Sequence, residues 1–244
     1  MQNINLTRFN PLKAVGYDSE DIIPEGGMGA VAAYAGVGKT ALLVQLALNA
    51  MLKGTKVLHI SLNDPVNKVS LWYQELLYNL AGPLRAENTR EIWETILPNR
   101  FIMTLKVEGF NVSKLEERLT DLMVQNIFLP GMIIVDGLKF DESVRGTVVD
   151  LKTLAEKHAM RLWFTVPAHR HEESEPGEMP PCLLSTAELF DVIFKLQPEG
   201  GEICIRTLKG QPAMAAGWPL FLDPSTMLIK SKILRRQEST PQHY

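Results

Sequence analysis

The stretch Ala30-Val31-Ala32-Ala33-Tyr34-Ala35-Gly36-Val37-Gly38-Lys39-Thr40 decides the fold of this chain. Ala30 to Tyr34 is short and apolar, as in a buried strand. From Ala41 to Met51 an uncharged run follows with no polar face of any width, as in a helix buried against a sheet. Between them lies a glycine-rich turn. A turn that opens a helix leaves the helix's first N–H groups without carbonyl partners, and glycines let the backbone wrap an anion with them. Lys39 would reach terminal phosphates as a point charge, and the Thr40 hydroxyl is the hard oxygen that Mg²⁺ takes alongside phosphate oxygens. The expected ligand is therefore an Mg²⁺-nucleotide, cradled by Gly36, Val37, Gly38, Lys39 and Thr40. The spacing is that of G-x-x-x-x-G-K-[ST] with Ala33 in the first position, so the pattern is intact from Gly36 onward.

Outward from that turn, the chain keeps the rhythm of a parallel α/β sheet. Gly54 stops the helix, and Lys56 to Leu62 reads as the next strand. Asn63-Asp64-Pro65 leads into a helix carrying Val69, Trp72, Tyr73, Leu76, Leu77 and Leu80. A further helix fits Asn88 to Leu97, and a short strand fits Phe101 to Leu105. Ser113-Lys114-Leu115-Glu116 has capping-box spacing before another helix. Met132-Ile133-Ile134-Val135-Asp136 is four apolar residues ending in one carboxylate, the pattern of a buried central strand whose tip meets a ligand. A helix from about Thr147 to His158 and a strand from Leu162 to Val166 follow, making five strands of parallel type.

Past Pro167 the character changes. His169 and Arg170 open a long loop rich in carboxylates, Glu172, Glu173, Glu175 and Glu178. Ser185 to Glu188 repeats the capping-box spacing before a short helix. Val192 to Gln197 and Glu202 to Leu208 form a hairpin across Pro198-Glu199-Gly200-Gly201, Leu220 to Leu222 and Met227 to Ile229 read as short strands, and a polar, basic tail begins at Lys230. The expected organisation is a lead-in over residues 1–24, one domain over 25–229 and the tail over 230–244.

Composition excludes several classes. At 244 residues, 45% hydrophobic and 22% charged, the chain suits a single globular α/β unit with a full core. A net charge of -3 gives no overall pull toward nucleic acid or anionic membranes. No apolar run approaches the ~20 residues of a membrane span, and Met1 to Phe9 lacks the apolar core of a signal peptide. The expected setting is cytoplasmic. Cys182 and Cys204 show no metal-ligand spacing, so neither a zinc site nor a disulfide framework is expected.

Together, the phosphate loop, the apolar strand ending in Asp136 and the strand-rich carboxyl end resemble the RecA-like core of P-loop ATPases, and within it the KaiC/RadA type, over roughly residues 17 to 229. Smaller matches add to this: Gly26-Gly27 before the first strand, Ser61-Leu62-Asn63-Asp64-Pro65 where the KaiC group has Ser-Phe-Glu-Glu-Pro, and Leu208-Lys209-Gly210 where it has Leu-Arg-Gly. The resemblance implies a twisted, mainly parallel sheet between helices with a C-terminal β-hairpin, and ATP at the subunit edge of a ring or filament. It assigns Lys39 and Asp136 catalytic roles and places Mg²⁺ between Thr40 and Asp136. The group's catalytic glutamates fall on Asn63 and Asp64. Asn63 cannot take a proton from water; Asp64 can, or it is an ordinary turn residue before Pro65. His169 or Arg170 would sense the γ-phosphate, or else opens a solvated loop, and Lys209 would reach a neighbour's nucleotide, or else is a solvated loop lysine.

The leading functional expectation is an Mg²⁺-ATP-binding switch with slow hydrolysis, acting as a homo-oligomer with a protein partner. A non-hydrolysing nucleotide-bound scaffold and a recombinase- or helicase-like DNA-dependent ATPase are the alternatives. Nucleic acid is not the expected partner, because the glutamate-rich loop would repel phosphates where recombinases meet DNA. A small-molecule kinase would want an arginine-bearing lid.

Overall fold

The computed structural model describes residues 21–82, 86–168, 178–210 and 220–231. The elements, in chain order, are β1 (Met28–Ala33), α1 (Lys39–Leu52), β2 (Val57–Ser61), α2 (Val66–Ala81), α3 (Ala86–Ile96), β3 (Arg100–Thr104), α4 (Val112–Val124), β4 (Met132–Asp136), α5 (Val144–Lys157), β5 (Arg161–Pro167), β6 (Val192–Glu199), β7 (Glu202–Lys209), β8 (Leu220–Leu222) and β9 (Ile229–Ser231). They build one nine-stranded sheet in the order β3-β2-β4-β5-β1-β6-β7-β8-β9. The pairings from β3 through to β6 are parallel, and those from β6 to β9 are antiparallel. The fold is α/β and mainly parallel, with antiparallel carboxyl-terminal strands.

Each central strand is buried on both faces, which is why β4 reads as unbroken hydrophobicity. Side chains alternate between two cores. Val31, Ile134 and Trp163 face α1, α2 and α3, whereas Ala30, Ile133, Val135 and Phe164 face α4 and α5. Helix α1 is enclosed along its length, from Ala41 to Met51. Its buried Gln45 uses both ends of its amide: Nε2 donates to the Met227 carbonyl (2.6 Å) and Oε1 accepts from the Ile229 N–H (2.9 Å). Leaving either end unpaired at that depth would cost about 1–3 kcal/mol. The turn before β9 is thereby fastened to the phosphate-loop helix, and Asn79 of α2 donates to Thr226 in the same turn (3.0 Å).

Three local readings shift. Asn111, not Ser113, caps α4, its side chain accepting from the Lys114 N–H (3.0 Å). Met227 has φ 56° and lies in the turn instead of a strand. Lys230, placed in the tail by composition, pairs with Phe221 across β8 and β9. The parallel pairing of β6 with β1 extends the parallel set beyond five strands. His169, Arg170, Glu172, Glu173 and Glu175 lie outside the described residues, as do residues 232–244. Among the described residues no helix is long and apolar enough to cross a membrane.

Candidate nucleotide and metal site

Strand β5 lies between β1 and β4, so the turn after β1 and the tip of β4 face each other across one intervening strand. That turn runs from Tyr34 to Gly38. Gly36 (φ 78°) and Gly38 (φ 107°) both take left-handed backbone, and Gly38 caps α1. At Gly38 a Cβ would also come within 2.7 Å of Leu222 Cδ2, so β8 closes in where the loop becomes helix. Any larger residue there is excluded twice, by conformation and by space. Ala33 ends β1 in register with Pro167 and needs no positive φ, which is why alanine serves in the pattern's first position. Its carbonyl accepts from Lys39 Nζ (2.8 Å), and the Tyr34 carbonyl accepts from the same ammonium (3.0 Å). Burial pushes the Lys39 ammonium below its ordinary pKa, opposed by the Asp136 carboxylate.

Across the site, Thr40 Oγ1 donates to Asp136 Oδ2 (2.8 Å), and Thr165 Oγ1 of β5 donates to Asp136 Oδ1 (2.7 Å). Thr165 Oγ1 in turn accepts from the Gly137 N–H (2.9 Å). Burial pushes the Asp136 carboxyl up, yet the polar groups facing it outweigh burial: His59 first, then Thr165 and Thr40 hold it below the ordinary carboxylate value. A hydroxyl and an ionised carboxylate in contact are hard oxygen donors suited to Mg²⁺. Among the described residues no group of three or more His, Cys, Asp or Glu is placed to hold a metal ion. A divalent ion beside Thr40 and Asp136 would thus complete its shell with phosphate oxygens and water, as Mg²⁺ does.

The tip of β2 supplies the remaining wall. Asn63 packs against Gly137, the residue after Asp136: a Cβ on Gly137 would lie 2.4 Å from Asn63 Nδ2, and Gly137 has φ 95°. Asp64 is drawn the other way. Ser61 Oγ donates to the Asp64 carbonyl (2.8 Å) and accepts from its N–H (3.0 Å), and the Asp64 carboxylate pairs with Lys68 Nζ one turn along (2.8 Å).

The structure thus brings Lys39, Thr40 and Asp136 together with Gly36, Val37 and Gly38, and puts Asn63 beside them. Lys209 is further along the sheet, its Nζ donating to the carbonyls of Ala187 (2.9 Å) and Glu188 (3.1 Å). Two contributors escaped the sequence reading, Thr165 and His59. Each is a lone polar residue in the apolar interior of its strand, and that is the available signal.

An AAA domain family matches residues 7–141, more than half of the chain. The chain belongs to that family. This AAA domain is accordingly a P-loop ATPase type, and the matched region takes in the phosphate loop, Asn63 and Asp136. No curated protein matches the chain.

Proposed function

We propose that the protein is an Mg²⁺-ATP-binding switch of the KaiC-like group that hydrolyses ATP slowly. The carrying observation is the contact of Thr40 with Asp136 beside the glycine-shaped turn, set against an amide, Asn63, at the strand tip where the group carries a glutamate. Gly36, Val37, Gly38 and Lys39 hold the phosphates, and Thr40 and Asp136 hold the ion, which neutralises phosphate charge. Asn63 orients a water by hydrogen bonding but removes no proton from it. Nucleotide thus orders this end of the sheet, and a partner reads the difference between bound states.

Self-association with nucleotide near the contact belongs to the same reading, since the group completes its site across subunits. For Lys209 to serve a neighbour's nucleotide it must leave the Ala187 and Glu188 carbonyls. An ATP-bound protein that stays monomeric at micromolar concentration removes that role.

The deciding test is nucleotide binding followed by melting. ATP or ADP with Mg²⁺ at a hundredfold excess over Kd should stabilise the wild type by about 2.7 kcal/mol. Lys39→Ala should fold and show no shift. Equal shifts in both proteins would remove the phosphate-loop assignment.

A further inference from the structure

His59 sits in the middle of β2, fully buried, in register with Ile102 on one side and Ile134 on the other. An imidazole in such a strand is costly unless its nitrogens are used. Nδ1 is 3.1 Å from the Tyr73 hydroxyl of α2. Nε2 has no hydrogen-bond partner, and it faces Asp136 Oδ2 at 3.7 Å, beyond hydrogen-bond length.

The two possible tautomers are not equivalent. If Nδ1 carried the hydrogen, the Nε2 lone pair would confront a carboxylate and the Tyr73 proton would lack this acceptor. If Tyr73 donates to Nδ1, the hydrogen is on Nε2 and points at Asp136, which the carboxylate's charge favours. Tyr73 is also fully buried, and burial pushes its phenol well above the ordinary value, so its proton stays available to donate. Arg100 of β3 stacks over the Tyr73 ring at 4.9 Å and donates from Nη2 to Ser70 (3.1 Å), fixing that ring from behind.

We propose that His59 is a positioning residue for the divalent ion: Tyr73 selects its Nε2–H tautomer, and the positive end of that N–H, facing Asp136 Oδ2 across 3.7 Å, favours the orientation in which Asp136 meets Thr40. The proposal rests on the reading of Thr40 and Asp136 as the Mg²⁺ site. It makes the ion's hold on nucleotide depend on α2, the helix that begins directly after Asn63-Asp64-Pro65. Partners standing behind a metal ligand typically set about 10–100-fold in metal affinity.

The test measures fluorescent ADP binding to the full chain with Mg²⁺ and with EDTA, the ratio of the two affinities being the readout. His59→Leu should lower the Mg²⁺ increment about tenfold or more while leaving affinity in EDTA at the wild-type value. His59→Gln, which can return an N–H near the Nε2 place, should recover much of it. A defect that is merely structural would weaken both affinities together. Should His59→Leu fail to fold, Tyr73→Phe, which removes one oxygen, decides: a reduced increment supports the proposal, and a wild-type increment overturns it. A wild-type increment in folded His59→Leu also overturns it, as does parallel loss with and without Mg²⁺. If the wild type binds no nucleotide under either condition, the Mg²⁺-site reading falls and this proposal with it. If it binds with a Mg²⁺ increment indifferent to His59 and Tyr73, only the proposal falls.

Discussion

The tips of β4 and β2 stand side by side, Asp136 in register with Ser61, yet the chain treats them differently. At β4 the carboxylate is half-buried, and each of its oxygens accepts from a threonine hydroxyl. At β2 the residue nearest the site is an amide, and the carboxylate that follows has been turned to a lysine on its own helix. The first arrangement suits holding a charged ligand in place. On the function proposed above, the second presents an amide where a base would activate water. On that reading binding and turnover are separable, and substitutions at the two tips should separate them.

The largest expected effect comes from Asn63→Glu. A positioned base contributes about 10²–10⁴ in rate, so phosphate release should rise by about the lower end of that range, with nucleotide affinity little changed. Multiple-turnover phosphate release checks it. No rise, in a variant that binds ATP normally, would mean that the attacking water is held elsewhere and that the contrast between the two tips has been misread.

Next is Gly137→Ala, which strikes the point where the tips touch. The backbone there is left-handed, and the new methyl would lie within 2.4 Å of Asn63. Holding a non-glycine residue in that region costs about 1–3 kcal/mol, so the melting temperature should fall. A wild-type melting temperature would show that the β2 tip moves aside freely and that Asn63 has no fixed seat.

Acid should reveal the β4 tip. The folded-state pKa of Asp136 is depressed, so its contribution to stability is complete above the ordinary carboxylate value of about 3.9 and is lost as pH falls through the lower folded value. Melting temperatures taken in EDTA should show wild type more stable than Asp136→Asn near neutrality, with the gap narrowing as pH drops below about 4. A gap of constant width would mean that the carboxylate's charge contributes nothing to folding.

Much of the β4 side could be read in the sequence. Glycine spacing before a lysine and threonine, and an apolar run closing on one carboxylate, are local signals of a buried strand and an anion cradle. The β2 side was only half legible. Alternation along a strand says that one of Asn63 and Asp64 faces inward, but the choice is made by the Ser61 turn and by Lys68, which no period encodes. His59 and Thr165 do not stand out in the sequence because a single polar residue does not alter a strand's pattern, although its burial is what gives it a task. The pairing of β6 with β1 was also hidden. A Gly200-Gly201 turn names a hairpin's two arms but not the strand that will flank them. Asn111 displaces Ser113 as the cap of α4 because both residue types can cap, and a helix that starts after Asn111 takes in the buried Val112.

The smallest effect, and the sharpest check on the comparison, belongs to Asp64→Ala. The carboxylate's contact is Lys68, the two side chains being 30% and 57% exposed. Pairs of this exposure contribute about 0.2–1 kcal/mol, so the melting temperature should move only slightly. The turn itself is held by the Ser61 hydroxyl on the Asp64 backbone, which alanine retains. Nucleotide affinity and phosphate release should therefore stay at wild-type values, because the substitution removes a charge that is paired with α2 and not with the site. A fall in phosphate release of tenfold or more with binding intact would reverse the assignment: Asp64 would then leave Lys68 during the reaction and act as the base, and the β2 tip would be a working catalytic arm held in reserve by a surface ion pair.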